Sequence, residues 1–203
     1  MDRRFSVIIA VLGCEILFRL AYQAFDLRMD PLIYTLSARL FELFVILDYA
    51  YAISGIRARS IRTEVIVGVA VSCAVGAAVL TADLASRLAV TGGILKMILG
   101  RQEVQNPLLF FLVACLIGPF VEELFFRGLF YSWLRQRLPV PVSVLLSALA
   151  FAGMHGVMSP VQLIGGLLFA VLFEWRKNIW APYIVHVAAN TGIWIVPWIH
   201  PLW

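Results

Sequence analysis

Apolar residues run along the chain in seven long blocks, approximately over 5–25, 31–56, 64–82, 106–134, 141–158, 161–175 and 179–198, and each break between them holds charges, Pro or Gly. About 20 apolar residues cross a bilayer as a helix, so the pattern predicts an all-α, polytopic transmembrane helical bundle of about seven segments. Residues 1–203 read as a single integral-membrane domain with no internal repeat. Two stretches depart from this plan. Segment 161–175 is short and contains Gly165-Gly166, which predicts either a helix embedded tightly against its neighbours or an incomplete crossing. The stretch Leu84–Gly100 is amphipathic, with Arg87 and Lys96, and predicts a short helix on the outer interface.

Composition supports the membrane reading. Of 203 residues, 62% are hydrophobic and 14% charged, where a soluble domain would carry about 25% charged residues. The net charge of +4 comes from basic residues scattered in ones, twos and threes between apolar blocks. That is a topology signal and not a nucleic-acid-binding patch. Assigning alternate breaks to alternate sides puts nine Lys and Arg on the N-terminal side and four on the other. The positive-inside rule therefore predicts a multi-pass protein of the cell membrane with a cytoplasmic N-terminus. Trp133, Trp175 and Trp180 flank the basic breaks, while Trp194, Trp198 and Trp203 gather at the opposite end, as interfacial belts would. The Met1-Asp2-Arg3-Arg4 start precedes an apolar run with no A-x-A cleavage pattern, and reads as a retained first helix. Cys14, Cys73 and Cys115 lie in different segments without CxxC spacing, which argues against a disulfide framework or a cysteine zinc site.

Charges near a bilayer midplane cost about 2.5–3.5 kcal/mol each on insertion scales, and the fourth segment holds three of them. Glu123 and Arg127 are four residues apart and can pair on one helical face, which leaves Glu122 turned about 100° onto another. The pair itself reads as structural. Two of the three histidines also lie in apolar segments: His155 closes Phe151-Ala-Gly-Met-His155, and His186 opens His186-Val-Ala-Ala-Asn190. Counting from the basic ends of the three segments places Glu122 about 18 Å deep, His155 about 21 Å, His186 about 12 Å and Asn190 about 18 Å. Four polar groups from three helices thus fall in one layer. Glu15/Arg19 and Arg39/Glu42 also have helical pairing distances and read as packing pairs.

A Glu and a His around one water can remove its proton, and the hydroxide can attack a carbonyl. A second His and an Asn amide can donate hydrogen bonds to the developing oxyanion. No GxSxG context accompanies the histidines, so serine nucleophile chemistry has little support.

Three patterns occur in order, each on its own apolar segment: Glu122-Glu123-Leu-Phe-Phe-Arg127 as EExxxR, Phe151-Ala-Gly-Met-His155 as FxxxH, and His186-Val-Ala-Ala-Asn190 as HxxxN. In these the chain resembles the CAAX protease and bacteriocin-processing (CPBP) family of intramembrane endopeptidases, over a core of residues 106–195. The resemblance implies that Glu122 and His155 activate the water, that His186 and Asn190 form the oxyanion site, that Glu123 and Arg127 support them, and that Phe151 walls the site. It further implies cleavage near the C-terminus of a membrane-associated protein or peptide substrate. Seven segments, where eukaryotic CAAX enzymes of this type commonly have eight, point toward bacterial relatives that process secreted peptides or proteins carrying a C-terminal sorting tag. The absence of an HExxH pair favours a reaction without a cofactor; zinc on Glu122, His155 and His186 is the alternative. A non-enzymatic immunity, ion-binding or peptide-binding membrane protein using the same polar cluster is the competing function.

Overall fold

The computed structural model describes residues 3–24, 30–48, 60–89, 93, 95, 103–155 and 160–199. Among them the chain forms helices and no strand: α1 (Arg3–Ala24), α2 (Pro31–Asp48), α3 (Ile61–Ala89), α4 (Pro107–Arg135), α5 (Val140–Met154), α6 (Pro160–Arg176) and α7 (Trp180–Ile199). The predicted all-α membrane bundle is therefore present. Three of the helices, α1, α3 and α4, are long and apolar enough to cross a membrane by length and composition, and α5 is a shorter apolar helix.

Local chemistry sets the helix starts. Asp30 Oδ1 accepts from Leu32 N at 2.7 Å ahead of α2, Ser60 Oγ accepts from Thr63 N at 3.3 Å ahead of α3, and Asn106 Oδ1 accepts from Leu109 N at 3.0 Å ahead of α4. Each cap satisfies a first-turn N–H that has no partner within the helix. Pro31 and Pro107, at the first helical position, lose no intrahelical bond there. The α6–α7 connection is very tight. Lys177 takes a left-handed backbone (φ 56°), and Asn178 Oδ1 accepts from Trp180 N at 3.1 Å.

Contacts between helix ends show that consecutive helices alternate in direction. Phe5 at the start of α1 stacks on Trp133 at the end of α4, and the Tyr131 hydroxyl donates to Glu174 Oε2 at the end of α6 at 2.8 Å. Arg176, closing α6, grips Glu64 at the start of α3 with two bonds of 3.0 and 2.7 Å. At the other end, Phe110 of α4 meets Trp194 of α7 with ring centroids 5.1 Å apart. The basic residues Arg62, Arg135, Arg137, Arg176 and Lys177 consequently share one end of the bundle.

Two corrections to the predicted boundaries follow. Leu84–Ala89 does not begin a separate interfacial helix but continues α3. Arg87 Nε meets Asp83 Oδ2 at 2.6 Å, one helical turn back, so one of the charges that mark the stretch as amphipathic is paired within α3 and the helix runs on. Most of the rest of that expectation, residues 90–92, 94 and 96–100, lies outside the described residues, as do residues 49–56 and 156–158 of the predicted second and fifth segments. Segment 161–175 is a continuous 17-residue helix, about 26 Å long at 1.5 Å per residue. Its glycine approach is real. A Cβ on Gly166 would lie 3.0 Å from the Ala148 Cα, so α6 seats backbone to backbone against α5.

Helix α4 is not regular. Residues Phe111–Ile117 and Leu124–Tyr131 are wound as π-helix, with Gly118 N–H bonded to Val113 O five residues back. Pro119 follows and has no N–H, so neither Gly118 nor Pro119 supplies a hydrogen to the Ala114 carbonyl. That carbonyl takes its hydrogen from Asn190 Nδ2 of α7 at 2.8 Å. Wide turns of this kind are frequent at functional sites, and here they bracket the α-helical turn Gly118–Glu123 that carries both carboxylates.

Candidate active site

The carboxylates of Glu122 and Glu123 leave α4 on different faces, as their adjacency requires, and acquire separate partners. Glu123 is fully buried. Its Oε1 lies 2.9 Å from His186 Nδ1 of α7, and its Oε2 lies 3.2 Å from Arg127 Nε. Arg127 is also fully buried; its Nη2 donates to the Gly166 carbonyl of α6 at 3.3 Å. The guanidinium carbon sits 4.8 Å from the Phe151 ring centroid, 5.3 Å from that of Phe169 and 5.7 Å from that of Phe126. An aromatic cage of this sort stabilises a cation that water cannot reach. Arg127 Nε and Glu123 Oε2 lie within ion-pair distance but off the line of a hydrogen bond, so their attraction is chiefly Coulombic.

Glu122 faces both histidines through a single oxygen. Its Oε2 is 3.7 Å from His186 Nε2 and 4.0 Å from His155 Nε2. These separations exceed a direct hydrogen bond, and suit a bridging water. His155 stands just past the end of α5, with Nδ1 2.8 Å from the Phe151 carbonyl. A carbonyl can only accept, so Nδ1 carries the hydrogen, and Nε2 is the nitrogen turned toward Glu122. In His186 the same logic holds with the Glu123 carboxylate as acceptor. Both rings are thus anchored by Nδ1 and aim Nε2 at one carboxylate.

Aromatic rings fix these orientations. Phe151 lies 4.7 Å from the His155 ring and 5.6 Å from that of His186. Phe169 of α6 stacks on His186 at 4.5 Å. The arrangement brings Glu122, Glu123, His155, His186, Arg127 and Phe151 together. Asn190 lies one turn farther along α7 than His186, with its amide on the Ala114 carbonyl.

Sequence reasoning missed Phe169 and Arg39. The spacing pairs Arg39 with Glu42, and that contact exists at 2.6 Å, but its Nη2 also lies 3.3 Å from Glu122 Oε1. Phe169 carried no signal beyond being apolar, whereas Arg39 was visible as a charge inside an apolar block.

Two cavities meet at His155. One of about 190 Å³ lies between α1, α2 and α4 and is bordered by Glu15, Arg19, Arg39, Glu42, Glu122 and His155. The other, about 230 Å³, is largely apolar and bordered by Phe110, Phe169, Gln162, His186 and Asn190 as well as His155.

Residues 104–192 match the family model described as Type II CAAX prenyl endopeptidase Rce1-like. A Bacillus subtilis (strain 168) protein named "Putative membrane peptidase YdiL" is 28% identical over 95 residues, which make up 46% of this chain and 39% of that protein. The matched stretch therefore spans well under half of the relative's length. No solved structure matches the chain.

Proposed function

We propose, from the match of residues 104–192 to the Type II CAAX prenyl endopeptidase Rce1-like model and from the geometry of the site, that the chain is a member of the CAAX protease and bacteriocin-processing family and an intramembrane endopeptidase of the glutamic type. It hydrolyses a peptide bond near the C-terminus of a membrane-associated or sorting-tagged substrate. The observation that carries this reading is the convergence of Glu122 Oε2 with the Nε2 atoms of His155 and His186, at 4.0 and 3.7 Å.

A water between these three atoms loses a proton to the Glu122–His155 pair as its oxygen attacks the scissile carbonyl. The carbonyl oxygen becomes an oxyanion and receives hydrogen bonds from His186 Nε2 and the free amide hydrogen of Asn190. Donation from Nε2 requires the doubly protonated His186 ring, for which Glu123 at Nδ1 is the counter-charge. When the tetrahedral adduct collapses, the C–N bond breaks and the proton held by Glu122–His155 passes to the leaving amine. The catalytic core is residues 106–195, and the protein sits in the cell membrane as a multi-pass bundle with its N-terminus cytoplasmic.

The reaction needs no metal in this reading. Among the described residues no group of three or more His, Cys, Asp and Glu has the arrangement of a metal site. Glu122 Oε1 already faces the Arg39 guanidinium, so a dication at Glu122 would lie against fixed positive charge.

The test uses purified full-length protein in liposomes and two probes: a farnesylated peptide ending in a CAAX sequence, and a single-span reporter with a hydrophobic C-terminal sorting tag. Mass spectrometry should show one new C-terminus on the tagged reporter, little cleavage of the farnesylated peptide, and full activity after exhaustive chelation. Replacing His155 by Ala should slow the reaction about 10²–10⁴-fold. Binding of the reporter without any cleavage by the wild type would point instead to a non-enzymatic binding protein, and activity lost on chelation and restored by zinc would establish the metal alternative.

A further inference from the structure

Next to the catalytic carboxylate lies a charge cluster that none of the three sequence motifs contains: Glu15 and Arg19 of α1, and Arg39 and Glu42 of α2. All four precede the residues matched by the family model. We propose that Arg39 is a positioning residue for Glu122, and that the first two helices thereby complete the active site; the inference rests on the reading of Glu122 as the catalytic base.

The two carboxylates of α4 divide the cations between them. Arg127 serves Glu123, which leaves Glu122 in need of a counter-charge in a site whose side chain is 12% exposed. Arg39 Nη2 supplies it at 3.3 Å from Oε1. The guanidinium is itself held, because Nη1 lies 2.6 Å from Glu42 Oε2 and 3.5 Å from Glu15 Oε2. Glu42 is only 2% exposed, so its grip on Nη1 is shielded from competing water. A planar group fixed at one nitrogen has little freedom at the next, and Nη2 is therefore aimed at Glu122. With Oε1 occupied, Oε2 is the oxygen that turns toward His155 and His186. Loss of the cation frees the carboxylate to rotate away from His155 and His186, which removes a positioned base from the reaction.

The remaining members act on the same geometry. Arg19 pairs with Glu15 at 2.9 Å and also donates to the Met154 carbonyl, one residue before His155. The cluster thus holds Glu122 directly and the backbone of the residue before His155. Its charge balance argues against a separate anion-binding role: Glu15, Glu42 and Glu122 face Arg19 and Arg39, and no positive charge is in surplus for a ligand.

The experiment measures kcat and KM for the tagged reporter with full-length Arg39→Gln, Arg39→Lys, Glu42→Gln and Glu122→Gln proteins in liposomes, together with their thermal midpoints. Arg39→Gln should lower kcat about 100-fold, the scale expected for a misplaced catalytic group, with KM within about threefold of wild type. Arg39→Lys, which keeps the charge but loses the planar fork, should fall between the two, with kcat below wild type but clearly above that of Arg39→Gln at unchanged KM. Glu42→Gln should lower kcat less than Arg39→Gln does, even where its midpoint falls as far. Wild-type kcat in Arg39→Gln, losses that fall on KM, or a lysine variant as inactive as the glutamine one would overturn the proposal. If Arg39→Gln does not fold, the lysine variant decides by the same criteria. Glu122→Gln separates the two levels: its full activity removes the catalytic reading itself, whereas an inactive Glu122→Gln beside a fully active Arg39→Gln removes the role of Arg39 alone.

Discussion

Helices α3 and α4 are each 29 residues long and both apolar enough to cross a membrane, yet 6% of the most apolar stretch of one is buried against 44% of the other. Their charges explain the difference. In α3 they stand near the two ends, where Glu64 meets Arg176 and Asp83 meets Arg87; in α4, Glu122, Glu123 and Arg127 stand in the interior. A helix with terminal charges can turn its middle to lipid, whereas interior charges must be enclosed by partners from other helices. The charges of α4 draw in α2, α5, α6 and α7, and the enclosure they require is also the site.

The sharpest way to break this contrast is to remove one enclosed charge. Arg127→Met leaves Glu123 buried beside His186 without its guanidinium, and the protein should lose about 3–5 kcal/mol of stability in a detergent unfolding titration. Adding Glu123→Gln to that variant should recover part of the loss. Next in size is Gly166→Leu, whose side chain would enter the α5–α6 contact and displace the carbonyl that Arg127 uses. It should cost about 1–3 kcal/mol by the same titration and reduce cleavage in parallel. Asn190→Ala removes the donor on the Ala114 carbonyl and should cost about 1 kcal/mol, while kcat falls about 100-fold through the lost oxyanion contact. A stability loss with unchanged kcat would make Asn190 purely a clasp on the π-wound turn of α4. The mildest change lies on α3: Gly76 has open space around its Cβ position, and Gly76→Leu should move stability by no more than about 0.5 kcal/mol and leave cleavage unaltered.

The helices were legible because a bilayer imposes a length on each apolar block and the breaks between blocks are charged. The site was legible to the same extent, since Glu122, His155 and His186 are costly residues in apolar surroundings and a helical rise places them in one layer. Partnerships across helices were hidden. Arg39 has a satisfying neighbour three residues away in Glu42, so nothing in the sequence directs it to Glu122. The Glu123–Arg127 spacing accounts locally for a carboxylate that also holds His186. The π-wound turns of α4 leave no mark on a 3.6-residue apolar period, although the Gly118-Pro119 pair marks the point where the regular ladder cannot run. In Leu84–Ala89 the amphipathic pattern misleads, because Arg87 is paired with Asp83 one turn back and marks no new helix.

All of these outcomes depend on Glu122 being the group that activates water. The most direct measurement is cleavage of the tagged reporter in liposomes by Glu122→Gln protein, beside its thermal midpoint and that of the wild type. The geometry predicts a rate lowered by about 10²–10⁴-fold or more at an unchanged midpoint. A folded Glu122→Gln protein that cleaves the reporter at the wild-type rate would contradict it.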